Sequence, residues 1–236
     1  IGALQQAGSF VERTDRDGSV ALYGYDAARG LYVTTEGKGA HDTIAYIAAD
    51  AQFEWRDGGT GVTQRFEAAG AGRILSSRDP AGNTLAYGYD ASGLLRSVSS
   101  SNGDATFYDY EGTKLTQIRV VVDGVSTTSV RYAYDATNRL ATVTVDLSPG
   151  DGSIADGRVY QTHYAYDGAS TRLSRITQSD GSTLAITYVD AGGGNYRVAS
   201  LQDALGNTTR FAYGSGFATV TDPLGFTTRY EFDAKG

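Results

Sequence analysis

The residues best able to do chemistry in this chain are few and scattered. Its two histidines, His41 and His163, are the side chains that could ligate zinc or act as a general base near neutral pH. They lie far apart in sequence, outside any His-x-x-x-His pair and away from clustered carboxylates, so they read as strand or loop histidines. Asp15-Arg16-Asp17-Gly18, and Asp151-Gly152 with Asp156-Gly157, look like calcium loops at first sight. The bidentate Glu that would close such a loop and a regular nonapeptide repeat are both missing, and hairpin turns account for them better. The glycines precede strands rather than helices, so they carry no phosphate-binding order. The aromatics are the more serious candidate. A row of Tyr side chains with Trp55 could stack on the apolar faces of sugars while the hydroxyls keep a polar contact. Aromatic pairs at period two on adjacent strands are, however, what a self-packing sheet requires. Packing is the preferred reading; no catalytic, cofactor-binding or metal-ligating set is assigned, and Trp55 is the side chain singled out for ligand stacking.

The elements that would position these residues are most legible between Asp79 and Val98. Asp79-Pro80-Ala81-Gly82-Asn83 is a turn: Pro80 fixes φ at the second position and Gly82 supplies a position where φ is often positive. Thr84-Leu85-Ala86-Tyr87-Gly88-Tyr89 then alternates, placing Leu85, Tyr87 and Tyr89 on one face of a strand. Asp90 and Gly93 make the next turn, and Leu94 to Val98 returns as a second strand.

The same unit recurs along the chain. Asp17-Gly18 reads as a two-residue type I′ hairpin turn leading into Tyr23-Gly24-Tyr25-Asp26. Later copies carry Tyr108 and Tyr110; Tyr132, Tyr134 and Asp135; Tyr164, Tyr166 and Asp167; Ile186 and Tyr188; Phe211 and Tyr213; and Tyr230 and Phe232. Taking the second aromatic of each pair as a marker, most intervals are 19 to 25 residues, which is an internal repeat. An interval of 41 is bisected by Tyr46 and hides a degenerate unit; one of 32 contains a Pro, Gly and Asp-rich loop insertion near 146–157. The expected organisation is one repeat array over 1–236, degenerate in 1–75 and clear in 76–236. It ends in the turn Asp233-Ala234-Lys235-Gly236 without a returning strand, as expected of a fragment of a larger protein.

Composition agrees with an all-β chain rich in turns: 31 Gly, 17 Tyr and 8 Phe among 236 residues, and no convincing helical stripe. A formal charge of -7 leaves no basic face to neutralise a phosphate backbone, so nucleic acid is excluded as an expected partner. Apolar runs such as Arg119-Val120-Val121-Val122 are far too short for a membrane span. With no Cys there is neither a disulfide framework nor a thiolate metal site. A single unit buries too little apolar surface to offset the entropy of ordering it, so neighbouring hairpins must pair edge to edge in an extended antiparallel sheet.

Tyr87-Gly88-Tyr89-Asp90, Tyr132-Ala133-Tyr134-Asp135 and Tyr164-Ala165-Tyr166-Asp167, each led by a turn and followed by a Leu-x-x-Val/Ile strand, resemble the YD repeats of RHS-family proteins. The resemblance is strong from about Gly72 onward. It implies tandem hairpins forming a curved wall that spirals into a hollow shell, as in bacterial polymorphic toxins, insecticidal toxin complexes and teneurins. It further implies a secreted or cell-surface bacterial protein without cofactor, and a non-catalytic wall that encloses or presents a toxin or effector. The partners implied are the remaining repeats and a C-terminal domain of a longer chain; the alternative is an adhesive module taking glycans or a partner protein. RHS proteins often carry an aspartic self-cleavage site, and Asp222-Pro223-Leu224-Gly225 has the local look. The repeat continues past it, and Asp79-Pro80-Ala81-Gly82 uses the same residues inside the array, so a plain turn is expected there.

Overall fold

The computed structural model describes residues 4–34 and 41–233. Glu36 to Gly39, at the start of the weakened repeats, and the expected final turn at Ala234 to Gly236 lie outside the described residues. The chain is all-β and antiparallel; its one helical element among the described residues is a single 3₁₀ turn at Pro149–Asp151 within the predicted loop insertion. No described helix is long and apolar enough to cross a membrane, which says nothing of spanning by strands.

The chain divides into two compact units, residues 1–109 with 120–126, and residues 110–119 with 127–236. The first contains β1 (Phe10–Thr14), β2 (Val20–Asp26), β3 (Leu31–Val33), β4 (Thr43–Ile47) and β5 (Gln52–Arg56). It continues through β6 (Thr63–Glu67), β7 (Ile74–Arg78), β8 (Thr84–Tyr89), β9 (Leu95–Ser100) and the start of β10 (Ala105–Glu111). Each strand pairs with the next, so the unit is a meander. The hairpin β11 (Lys114–Val122) and β12 (Val125–Tyr134) is divided between the units. The second unit runs on through β13 (Leu140–Asp146), β14 (Val159–Tyr166), β15 (Leu173–Gln178) and β16 (Thr183–Asp190). It is completed by β17 (Tyr196–Asp203), β18 (Thr208–Gly214), β19 (Phe217–Thr221) and β20 (Thr227–Glu231), and from β12 onward pairing is again between successive strands.

One turn recurs in eight of the described connections. The residues at its base are Asp15, Asp79, Asp90, Ser100, Asp135, Gln178, Asp203 and Asp222; each carbonyl accepts from the N–H three residues on, and each N–H donates to the carbonyl four residues on. This is a three-residue loop closed by a left-handed residue, Gly or, at Asn138, φ 67°. Asp17-Gly18 is therefore not the expected type I′ turn: of the two only Gly18 has positive φ, because the loop is closed at Asp15 and its carbonyl turns the chain one residue earlier. Asp123-Gly124, with φ of 50° and 78°, does adopt the two-residue form.

The spacing mismatch in the repeat also has a structural cause. The markers of Tyr-x-Tyr are two positions apart on their strand, whereas those of Leu-x-x-Val are three apart on its partner. Tyr87 pairs with Val98 and Tyr89 with Leu95, with a register shift between Gly88 and Tyr89. The same bulge falls between Ala133 and Tyr134, Ala165 and Tyr166, and Thr187 and Tyr188. A bulge absorbs the extra residue and keeps aromatic opposite aliphatic on one face.

Among the described residues, the buried apolar ones, Tyr23, Tyr32, Ile44 and Trp55, all lie in the first unit. Its sheet curls, so that β1 and β2 reach across to β5 and β6. Among the described residues of the second unit no apolar side chain is fully buried, although Asp146 is, paired with Arg131 at 3.3 Å.

Candidate functional site

The tyrosines are placed by the repeat into a ladder. Five of the second tyrosines send their hydroxyls back one hairpin to a backbone carbonyl: Tyr89 to Ile74 at 2.9 Å, Tyr134 to Leu115 at 2.8 Å and Tyr166 to Leu140 at 2.7 Å. Tyr188 donates likewise to Leu173 and Tyr213 to Val198, both at 2.8 Å. Immediately before each accepting residue stands a cation, and that cation lies over the same Tyr ring. Arg73 is 5.0 Å from the Tyr89 centroid, Lys114 5.4 Å from Tyr134, Arg139 4.4 Å from Tyr166, Arg172 5.6 Å from Tyr188 and Arg197 5.0 Å from Tyr213. A basic residue followed by an aliphatic thus receives the next repeat's tyrosine twice, through a hydrogen bond and through its ring face. Sequence reading missed this partner; the signal was the Arg or Lys preceding Ile74, Leu115, Leu140, Leu173 and Val198.

Several of these cations are anchored behind by the turn carboxylate of their own repeat. Arg139 pairs with Asp135 at 2.8 Å, Arg172 with Asp167 at 2.8 Å, and Arg73 with Glu67, which replaces the Asp, at 2.9 Å. The turn aspartates have further acceptor duties: Asp90 takes the N–H groups of Ser92 and Leu94 and the Arg96 guanidinium, and Asp26 those of Ala28 and Arg29. The backbone N–H of Leu94 first, then Arg96, holds the Asp90 carboxyl below its ordinary range; Arg139 N–H and the Thr137 hydroxyl do the same for Asp135. Asp79 and Asp203 are lowered chiefly by the Asn83 and Asn207 side chains, and Glu67 chiefly by Arg73. These carboxylates are committed as ionised acceptors. Asp222 likewise takes the N–H groups of Leu224 and Phe226, the same arrangement that Asp79 makes in its turn.

The remaining singled-out residues fall into four settings. Tyr87, Tyr132 and Tyr164 stand opposite Val98, Val143 and Ile176, and Phe211 opposite Val220, as the first aromatic of each pair. Tyr108 and Tyr110 lie on β10, on either side of the division between the units. Tyr230, on β20, and Phe232, just beyond it, are exposed, Phe232 donating its N–H to the Gly216 carbonyl. Tyr23 and Tyr25 belong to the buried cluster of the first unit, where Tyr25 packs on Tyr32 with centroids 5.2 Å apart.

Trp55 lies in that cluster too, 7% exposed. Its indole N–H donates to the Tyr23 hydroxyl at 3.1 Å, and Arg13 sits 3.9 Å over its ring, tied in turn to Asp15 and Gln64. Burial raises the Tyr23 phenol above its usual range. The Arg13 Nε is buried without a hydrogen-bond acceptor, a cost that the electron-rich face of the indole offsets in part. A cleft of about 890 Å³ lined by Arg13, Asp15, His41, Asp57, Trp55 and Gln64 opens beside the cluster, and a sugar stacking on that indole face would have to displace Arg13. His41 belongs to the first unit and His163, against the Thr142 hydroxyl at 3.1 Å, to the second. Among the described residues no group of three His, Cys, Asp or Glu is arranged to hold a metal ion.

Successive hairpins, a bulge at Tyr89, Tyr134, Tyr166 and Tyr188, and a rung from five hairpins to the one before define a tandem β-hairpin repeat protein. The RHS repeat family model matches residues 70–105, the stretch from just before Arg73 to the start of β10. Comparison with curated proteins finds no match. Among solved structures, the chain is similar to the crystal structure of TcdB2-TccC3-TEV, with 13% identity, TM-score 0.46, and coverage of 97% of this chain and 16% of that chain. The Photorhabdus luminescens Tc holotoxin pore with a mutated TccC3 gives 13% identity and TM-score 0.49, again over 97% and 16% of the two chains. A porin-like protein from Bacteroides uniformis gives 14% identity and TM-score 0.30 over 92% of each chain. The chain thus spans about 16% of the length of the Tc toxin chains it matches.

Proposed function

We propose that this chain is a non-catalytic wall segment of a secreted or surface-exported RHS/YD protein, one continuous array whose hairpins enclose or present a toxin or effector carried elsewhere in a longer chain. The observation that carries this reading is the recurring rung. Its tyrosines and cations are engaged between neighbouring repeats, and its carboxylates hold those cations and their own turns, which is the use a self-supporting wall makes of them. The RHS repeat at residues 70–105 supports the same reading. In a full-length product containing this array, the C-terminal domain should resist limited proteolysis. Tyr134→Ala with Tyr166→Ala should render it susceptible without changing its sequence. A C-terminal domain digested equally fast behind the intact wall would overturn enclosure, and a robust hydrolase activity lost on substituting residues of this segment would overturn the non-catalytic role.

The second reading is an adhesive module binding glycans or a partner protein, favoured by the cleft beside Trp55. Glycan-array binding abolished by Trp55→Ala, with the melting transition retained, would establish it; unchanged binding would remove Trp55 from the account.

A further inference from the structure

Three of the eight recurring turns are closed from a different residue. In the other five the base carboxylate, Asp79, Asp90, Asp135, Asp203 or Asp222, accepts the N–H four residues on. The turn between β9 and β10 has Ser100 at its base, and the Asp104 N–H goes instead to Asn102 Oδ1 at 3.1 Å. Asp17 and Asp180 take the N–H groups of Ser19 and Ser182 in the same way, in the turns based on Asp15 and Gln178. Of these three closing side chains only Asn102 is an amide, and it is the one Asn in the sequence that Gly follows.

A side chain that accepts the N–H two residues on is folded around the nitrogen in between, here that of Gly103. Cγ, Cβ, Cα and the carbonyl carbon of Asn102, with that nitrogen, are the five atoms of a succinimide ring. Gly103 brings no side chain to shield its nitrogen, the space a Cβ would take is open, and Ser101, Asn102 and Gly103 are all exposed. The other four asparagines, Asn83, Asn138, Asn195 and Asn207, precede Thr84, Arg139, Tyr196 and Thr208, whose side chains crowd the corresponding nitrogen. Asn83 and Asn207 are further committed through their amides to Asp79 and Asp203. Asp180 shares the geometry of Asn102, but its carboxyl, held below its ordinary range chiefly by the Ser182 hydroxyl, is ionised and a poor electrophile.

We propose that Asn102 is a site of spontaneous covalent modification, at which the chain loses ammonia and the turn becomes one containing aspartate or isoaspartate. The Gly103 N–H is held by the Ser100 carbonyl at 3.0 Å, so the reaction proceeds from the locally opened loop. The nitrogen gives its proton to base and bonds to Cγ; the Cγ–Nδ2 bond breaks, and the amide leaves as ammonia with a proton from water. One water then opens the ring, at Cγ to give aspartate or at the main-chain carbonyl to give isoaspartate. Either product sets a carboxylate beside Asp104, where the Asn102 amide now donates to Asp104 Oδ2 at 2.7 Å, so a hydrogen bond gives way to a like-charge contact. Isoaspartate also adds a carbon to the main chain of a loop closed by Gly103 N–H on the Ser100 carbonyl and Ser100 N–H on the Asp104 carbonyl. The turn is tied to β8 as well, Ser101 N–H donating to the Thr84 carbonyl and Thr84 N–H to the Ser101 hydroxyl. Modification therefore loosens the array at one hairpin. The inference does not rest on the wall reading, since it uses only the chemistry of one turn.

Incubating the 236-residue chain at neutral and at mildly alkaline pH, followed by peptide mass spectrometry, tests this. The peptide holding Asn102 should gain the single mass unit that separates carboxylate from amide before any peptide holding another Asn does. The gain should come faster at the higher pH, with isoaspartate identified by electron-transfer fragmentation. Ser100→Asp with Asp104→Leu rebuilds the closure that Asp90 makes with Leu94, and should slow conversion roughly fivefold, the factor by which one further hydrogen bond depresses the opened population. Asn102→Gln, which would need a six-membered ring, should stay unconverted and keep the wild-type melting transition. Converted chain should exchange its amide hydrogens faster than fresh chain from Leu95 to Asp109. Conversion no faster at Asn102 than at another Asn, a rate unchanged or raised by the double variant, or equal exchange in fresh and converted chain would each overturn the proposal.

Discussion

Tyr134 shows what one residue contributes. Its ring stands opposite Leu140 and under Lys114, and its hydroxyl donates to the Leu115 carbonyl. Tyr134→Phe should therefore cost about 1 kcal/mol in chemical denaturation, the net value of one hydrogen bond, and Tyr134→Ala about 3 kcal/mol; losses below about 1 kcal/mol for Ala would count against a packing role. Arg139 joins more partners than any single ion pair, reaching Asp135, the Gly168 and Ser170 carbonyls and the Tyr166 ring. Arg139→Ala should destabilise by about 2 kcal/mol, and Arg139→Lys should recover only part, since one ammonium cannot reproduce the planar fork. The Tyr-x-Tyr pairs were legible because their period is local. The cation was not, because the ring that gives it meaning belongs to the next hairpin and nothing within its own strand marks it.

Among the elements, the turns set the pH response. The carboxyls of Asp79, Asp90, Asp135 and Asp203 are all lowered in the folded chain by N–H donors and neighbouring side chains. The unfolded chain, with Asp near 3.9, binds protons first as pH falls. Stability from these turns is therefore complete above the unfolded value and is lost as pH drops through the folded values. The melting temperature should be flat from about pH 7 to 5 and fall below about pH 4. Asn at Asp90, Asp135 and Asp203 together should lower the plateau and flatten that fall. Gly58 makes a different point: an added Cβ would lie 2.3 Å from the His41 carbonyl oxygen, whereas one on Gly24 would meet nothing within 4 Å. Gly58→Ala should lower the melting temperature clearly and Gly24→Ala should leave it within error. Turn positions were visible in the sequence, but not turn type, since Asp17-Gly18 and Asp123-Gly124 look alike and differ only in which flanking residue closes the loop.

At the scale of the whole chain, the repeats that look degenerate in sequence build the buried cluster. Tyr32, Ile44 and Trp55 depart from the Tyr-x-Tyr-Asp pattern because the first unit curls its sheet onto itself, and residues chosen for that contact no longer need to form rungs. The second unit keeps the pattern and has no such cluster among its described residues, so its hairpins depend on the rungs between them. That dependence is the central claim, and hydrogen exchange measured by mass spectrometry on Tyr188→Ala tests it most directly. Faster exchange is predicted in its own hairpin, Thr183 to Asp203, and equally in the preceding one, Val159 to Gln178, whose Leu173 carbonyl loses its donor. Acceleration confined to Thr183 to Asp203, with the preceding hairpin unchanged, would contradict it.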